Sequence, residues 1–260
     1  MEGLGGLRSA TRVLAHRGVH APGGPVENSL GAFRRAIELG VDALELDVRR
    51  TRDGVLVVHH DPRMAAGAPK LRSIDFADLP PLTDGQHVPR LTEVADLAVA
   101  HDARLVVEPK DRHITEQVVA ELHGRGLTSD RFEIISFSNA TLREAEAVDP
   151  AIRTGVLAPK LPGVLRESAA WTGAVALMDA LGWEPSLSRA ARVGADYVSV
   201  DRRMVRPRFM AAAADRGVPV DTWTVNERAD IQRVLDLGVA GVVTDDAALA
   251  MRLRDPRPTA

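Results

Sequence analysis

Short runs rich in Val, Ile and Leu alternate with amphipathic, helix-like stretches along almost the whole chain. This alternation limits the fold more than any other feature. The runs occupy residues 13–15, 43–48, 55–58, 105–107, 132–136, 154–157, 197–200, 218–223 and 239–244. Helix-like stretches at 30–39, 114–122, 140–147 and 229–237 lie among them. Strands that are apolar on both faces belong to a parallel sheet covered by helices. About eight such units in 260 residues predict a closed TIM (β/α)8 barrel rather than an open sheet. No glycine-rich dinucleotide fingerprint follows the first run, which also weighs against the open form.

One connection breaks the pattern. Asp53-Gly54 is a hairpin-turn dipeptide, and residues 62–89 carry several prolines and weak periodicity. They predict a small insertion on the barrel rim after the second strand. The domain reading is a tail at 1–12, one barrel at 13–252 and a second tail at 253–260.

Composition narrows the chemistry. The net charge of −3 argues against nucleic acid as the main partner. The absence of cysteine excludes disulfides and thiolate chemistry, so any metal is held by carboxylates, imidazoles or water. The Gly-rich first twelve residues lack the apolar core of a signal peptide, and no run is long enough to span a bilayer. The expectation is a cytoplasmic protein without stable membrane insertion.

In such a barrel, functional groups collect at the C-terminal ends of strands. His16 and Arg17 end the first strand there, and Glu108 and Lys110 end the run at 105–107. Glu45 and Asp47 stand two apart in the second strand, so both face one side. The apolar Leu44, Leu46 and Val48 between and beyond them would face the helices, which turns the acids into the barrel. Two buried carboxylates repel unless a cation compensates. With Glu108 they form a set suited to a hard cation such as Mg²⁺ or Ca²⁺. A two-residue loop at Asp53-Gly54 would pair Arg52 with Val55, setting Asp47 opposite His60 and Val48 opposite His59. That register selects His60 as a catalytic imidazole, with Asp61 orienting the ring or turning the chain. His16 is the second candidate, and Arg17 and Lys110 suit a phosphoryl oxyanion. Asn28 is read as a helix cap. Glu27 is either part of that turn or a supporting acid. Trp223 is either a pocket wall or core packing, and Trp171 and Trp183 are packing or rim residues. Asp245 and Asp246 are read as caps of the last helix.

These residues fall into motifs: His16-Arg17-Gly18, Glu27-Asn28-Ser29, Glu45-Leu46-Asp47-Val48, Thr51-Arg52-Asp53-Gly54, His60-Asp61-Pro62 and Glu108-Pro109-Lys110. With Trp223-Thr224-Val225-Asn226 and Gly241-Val242-Val243-Thr244-Asp245, they resemble the glycerophosphodiester phosphodiesterases, in the same order. The resemblance implies a metal held by Glu45, Asp47 and Glu108. It also implies an acid/base pair of His16 and His60, with Arg17 and Lys110 on phosphate. The implied reaction is Mg²⁺- or Ca²⁺-dependent hydrolysis of a small glycerophosphodiester to sn-glycerol 3-phosphate and an alcohol. Two rival readings are a phospholipase D-like or cyclising lyase acting on lysophospholipid, and a non-catalytic barrel binding phosphate or carbohydrate. The sequence departs from the family after His60-Asp61-Pro62, where it reads Arg63-Met64-Ala65-Ala66-Gly67. That departure falls on the rim segment expected to meet the leaving alcohol.

Overall fold

A computed structural model of the chain describes residues 11–158, 168–181 and 184–255. Its sheet contains β1 (Arg12–His16), β2 (Ala43–Arg50), β3 (Leu56–Val58), β4 (Leu105–Pro109), β5 (Phe132–Ser136), β6 (Arg153–Ala158), β7 (Tyr197–Asp201), β8 (Val220–Trp223) and β9 (Gly241–Thr244). All neighbours except β2 and β3 pair in parallel. The order is β1-β9-β8-β7-β6-β5-β4-β2-β3, and β1 also pairs with β2. That last pairing closes eight parallel strands into a barrel, the predicted TIM fold, and leaves β3 as an antiparallel flap on the top of β2.

The helices are α1 (Leu30–Leu39), α2 (Leu91–Ala100), α3 (Thr115–Gly124), α4 (Asn139–Val148), α5 (Ala169–Leu181), α6 (Pro185–Val193), α7 (Pro207–Asp215), α8 (Arg228–Asp236) and α9 (Ala247–Arg254). Local chemistry fixes their ends. The Ser29 hydroxyl accepts from Ala32 N at the start of α1, and Gly40 closes it in the left-handed region at φ 80°. Among the described residues no helix is long and apolar enough to cross a membrane.

Strand periodicity sorts the side chains. Leu44, Leu46 and Val48 join the outer core between strands and helices, as do Val13, Val107 and Val198. Trp171 packs against this outer core, whereas Trp183 lies outside the described residues. Inward-facing Leu14, Ala43, Val106, Ile135, Leu157, Tyr197, Trp223 and Val243 fill the barrel. Residues above this plug therefore face the mouth and those below it face the bottom. A third cluster of Val57, Leu71, Leu82 and Val88 gives the rim segment a small core of its own. Two 3₁₀ turns, Leu71–Ser73 and Phe76–Asp78, are the regular structure within residues 62–89.

The barrel bottom corrects the expected tail boundaries. Arg12 opens β1 rather than ending a tail. Its guanidinium lies 2.6 Å from Glu133 Oε1 and 3.0 Å from Asp221 Oδ2. Burial pushes the Asp221 carboxyl up to about 6 even so, partly offset by Arg12. At the other end, Leu253 and Arg254 belong to α9, and Arg254 pairs with Asp42. Residues 1–10 and 256–260 of the two expected tails lie outside the described residues.

Gly155 is required beside this cluster. A Cβ there would overlap the buried Tyr197 ring. Gly155→Ala is expected to lose about 1–3 kcal/mol of stability from overpacking, read from the denaturant midpoint. An unchanged midpoint would show that the Tyr197 ring moves aside without cost.

Candidate active site

Strand register builds the mouth. β1–β2 pairing sets His16 beside Glu45, and β2–β4 pairing sets Asp47 beside Glu108. Glu45, Asp47 and Glu108 are buried, each with an oxygen within 4.8 Å of the others. Burial first, then the charge of Asp47, pushes the Glu45 carboxyl up to about 7. Burial also raises Glu108, against the pull of Lys110. Asp47 goes the other way: burial opposes its charge, but Lys110 and Arg17 outweigh it and hold the group well below the usual range.

Two cations enforce this arrangement. Lys110 Nζ lies 2.9 Å from Asp47 Oδ1 and 2.6 Å from Glu108 Oε2. Arg17 Nε lies 3.1 Å from Asp47 Oδ2, and its backbone N–H donates to Glu45 Oε2 at 3.1 Å. Arg17 takes φ 56° to do so, next to Gly18 at φ 85°. Lys110 and Arg17 pair with Asp47 and Glu108, while Glu45 is held only by a backbone N–H and forms no ion pair with a side chain among the described residues. An all-oxygen donor set of this kind fits a hard divalent cation. Glu27, partly exposed, holds Arg17 through Nη1 at 2.9 Å rather than lining the cavity.

Both candidate imidazoles face the same cavity, and each is oriented by an aspartate. His16 Nδ1 is 2.6 Å from Asp245 Oδ1, and His60 Nδ1 is 2.8 Å from Asp61 Oδ1. Burial opposes charging of His16, but the bond to Asp245 and the charge of Glu45 outweigh it and raise its pKa. For His60 burial wins over the attraction of Asp47, and its pKa falls below the ordinary value. Arg17, Lys110 and the three acids line the cavity with them, and Phe137, Leu157 and Trp223 wall it on the apolar side. Trp223 is fixed by donating Nε1–H to Ser199 O at 2.8 Å and by an edge-on contact with Phe137.

The route by which His60 reaches the cavity differs from the expected one. Val48 pairs with Val58, so Asp47 stands opposite His59, one residue off the expected register. The turn holds three residues, Arg52, Asp53 and Gly54: Thr51 N donates to Val55 O, and Gly54 sits at φ 87°. The Asp53 carboxylate accepts from the Thr51 hydroxyl and Phe76 N, which ties the longer loop to the rim. β3 ends at Val58, and the chain then bends, with the His60 carbonyl accepting from Arg49 Nε at 2.7 Å. The bend, not strand alternation, aims His60.

Two residues read as caps act elsewhere. Ser29 caps α1, while Asn28 at φ 57° donates Nδ2–H to Asp47 Oδ2 at 2.9 Å and accepts from Asp47 N at 3.3 Å. Asp246 caps α9, whereas Asp245 holds His16 and is itself held by Asn226 Nδ2 at 2.6 Å. One available signal was the alternation of β9: Gly241 and Val243 face inward, so the next inward position is Asp245.

Glu45→Gln tests the charge balance. It removes a buried charge whose folded pKa is raised, a charge that costs stability as pH climbs from the ordinary carboxylate value through about 7. The variant in chelator at pH 8 is expected to melt at or above the parent's temperature. A rise in the parent's melting temperature on adding Mg²⁺ or Ca²⁺ is expected, and the variant should lose it. A variant that melts lower in chelator and still responds to metal would contradict both points.

A sequence profile described as the glycerophosphoryl diester phosphodiesterase family matches residues 16–249. The chain is similar to the glycerophosphodiester phosphodiesterase of Caldanaerobacter subterraneus subsp. tengcongensis, 28% identical across 94% of this chain and 97% of that one. It is 31% identical to a Mycobacterium tuberculosis protein named "Probable glycerophosphodiester phosphodiesterase 2", over 96% and 92% of the two chains. The fold is shared with an Oleispira antarctica phosphodiesterase solved in complex with the product sn-glycerol-3-phosphate. That likeness has a TM-score of 0.75 at 20% identity and covers 94% of this chain and 96% of that one.

Proposed function

The chain belongs to the glycerophosphoryl diester phosphodiesterase family, and from that premise we propose that it hydrolyses glycerophosphodiesters to sn-glycerol 3-phosphate and an alcohol by histidine acid/base catalysis at a divalent metal site. One observation carries the reading: three carboxylates, two imidazoles, Arg17 and Lys110 line a single cavity at the barrel mouth. Glu45, Asp47 and Glu108 would hold Mg²⁺ or Ca²⁺, which supplies positive charge to a phosphoryl group when bound. Arg17, paired with Asp47 and Glu27 at the cavity wall, would offer its guanidinium to a non-bridging oxygen. Lys110, among the acids, adds a second positive group on the same side.

The two imidazoles divide the proton work. Burial keeps His60 neutral near pH 7, so its free nitrogen takes the proton of the glycerol hydroxyl next to the phosphorus. That oxygen attacks phosphorus and the bond to the leaving alcohol breaks. His16, kept protonated by Asp245, gives its proton to the departing alkoxide. Water then opens the cyclic phosphate with the roles exchanged: His16 accepts the water proton and His60 returns one to the glycerol oxygen. Holding the hydroxyl beside phosphorus supplies proximity without a separate water site.

The direct test is a panel of glycerophosphocholine, glycerophosphoethanolamine, glycerophosphoglycerol and glycerophosphoinositol, assayed with EDTA and metal add-back. Turnover that ends with EDTA and returns with Mg²⁺ or Ca²⁺ is expected; turnover of none of the four with either metal would reject the reading. His16→Ala and His60→Ala are each expected to lower kcat by about 10²–10⁴-fold with the fold retained. The pH profile is expected to be a bell, its acid limb below the ordinary histidine pKa (His60) and its alkaline limb above it (His16). Asp245→Asn should bring the alkaline limb down, because the partner that favours imidazolium is lost; a limb that stays in place would remove Asp245 from this role. A diester whose glycerol hydroxyl next to the phosphate is replaced by hydrogen should turn over poorly, whereas equal rates would reject the cyclic route.

A further inference from the structure

The mouth holds a second cleft beside the catalytic cavity. It has a volume of about 220 Å³ and is lined by Arg49, Pro62, Lys70, Leu71, Arg72 and Asp111. Two chain segments supply both spaces: His60 lines the cavity and Pro62 the cleft, and Lys110 lines the cavity and Asp111 the cleft. The two therefore adjoin across the His60–Pro62 bend.

The cleft is built and electropositive. Arg49 shares the face of β2 with Glu45 and Asp47, and Asp111 fixes its guanidinium at 3.0 Å. Lys70 and Arg72 are anchored through the backbone. Lys70 bridges to Arg63, and the buried Leu71 between the two cations donates its N–H to Pro62 O at 2.9 Å. The side chains of Lys70 and Arg72 are exposed and form no ion pair among the described residues. Three cations thus face one carboxylate. Lys70 and Arg72 belong to the rim segment, while Arg49 lies at the end of β2 and Asp111 just past the end of β4.

We propose that the cleft receives an anionic group on the leaving alcohol, a second phosphate above all. Preferred substrates then join glycerophosphate to a phosphorylated alcohol. The inference rests on the hydrolase reading and names the substrate class of that same site. Lys70 and Arg72 supply attraction and Arg49 a fixed donor, while the chemistry stays with the adjoining cavity. Exposed pairs of this kind are screened by salt, so the preference should shrink as ionic strength rises.

The experiment compares kcat/KM for glycerophosphoinositol 4-phosphate and glycerophosphoinositol in the metal-supplemented parent and in Lys70→Ala/Arg72→Ala. The parent is expected to favour the phosphorylated substrate about tenfold at low salt, and the double variant to lose most of that ratio. Lys70→Arg should keep it. Turnover of glycerophosphoinositol with no preference for its phosphate, or a ratio unmoved by the double variant, overturns the cleft and leaves the hydrolase reading intact. Turnover of neither compound, nor of any simple glycerophosphodiester, overturns both.

Discussion

Burying three carboxylates side by side is the constraint around which the mouth of this barrel is arranged. Each of Glu45, Asp47 and Glu108 would be costly in an apolar interior, and their mutual repulsion adds to the cost. The surrounding sequence answers that cost. Lys110 stands between Asp47 and Glu108, Arg17 and Asn28 hold the other oxygen of Asp47, and the backbone of Arg17 reaches Glu45. The left-handed φ of Arg17 and of Asn28 is the local consequence, since each bends the chain toward an acid. What remains is a buried set of acidic oxygens of the type that suits a divalent cation.

The opposite pKa shifts of the two imidazoles follow from the same field. His16 sits beside Glu45 and against Asp245, so its charged form is favoured; His60 is half-buried beside cations that disfavour charge. Two rings of one residue type, facing one cavity, are thereby shifted in opposite directions from the ordinary histidine pKa. This is a property of surroundings, supplied by residues on β2, β4 and the segment after β9.

The barrel was legible in the sequence because strands buried on both faces must read as apolar runs, and the inward acids because alternation is strict within a parallel strand. Legibility ended where geometry departs from a regular element. The hairpin register was misjudged by one residue because Asp53-Gly54 also serves a three-residue turn, and the tie from Asp53 to the Thr51 hydroxyl and Phe76 N that holds the longer loop is a tertiary fact. His60 still enters the cavity, through a bend that no periodicity encodes. Asn28 was hidden because its side chain reaches across to β2 instead of along its own helix. Arg12 looked like the end of a tail because its partners, Glu133 and Asp221, are 121 and 209 residues away.

The bond between His16 and Asp245 spans 229 residues of chain. Contacts of that separation form late, because a long loop must close before they contribute. During synthesis the acids, both imidazoles and both cations are all present by residue 110, yet the carboxylate that orients one imidazole emerges with the last strand. An incomplete chain therefore carries most of the mouth's polar side chains without their alignment, and the mouth is complete only after the barrel has shut.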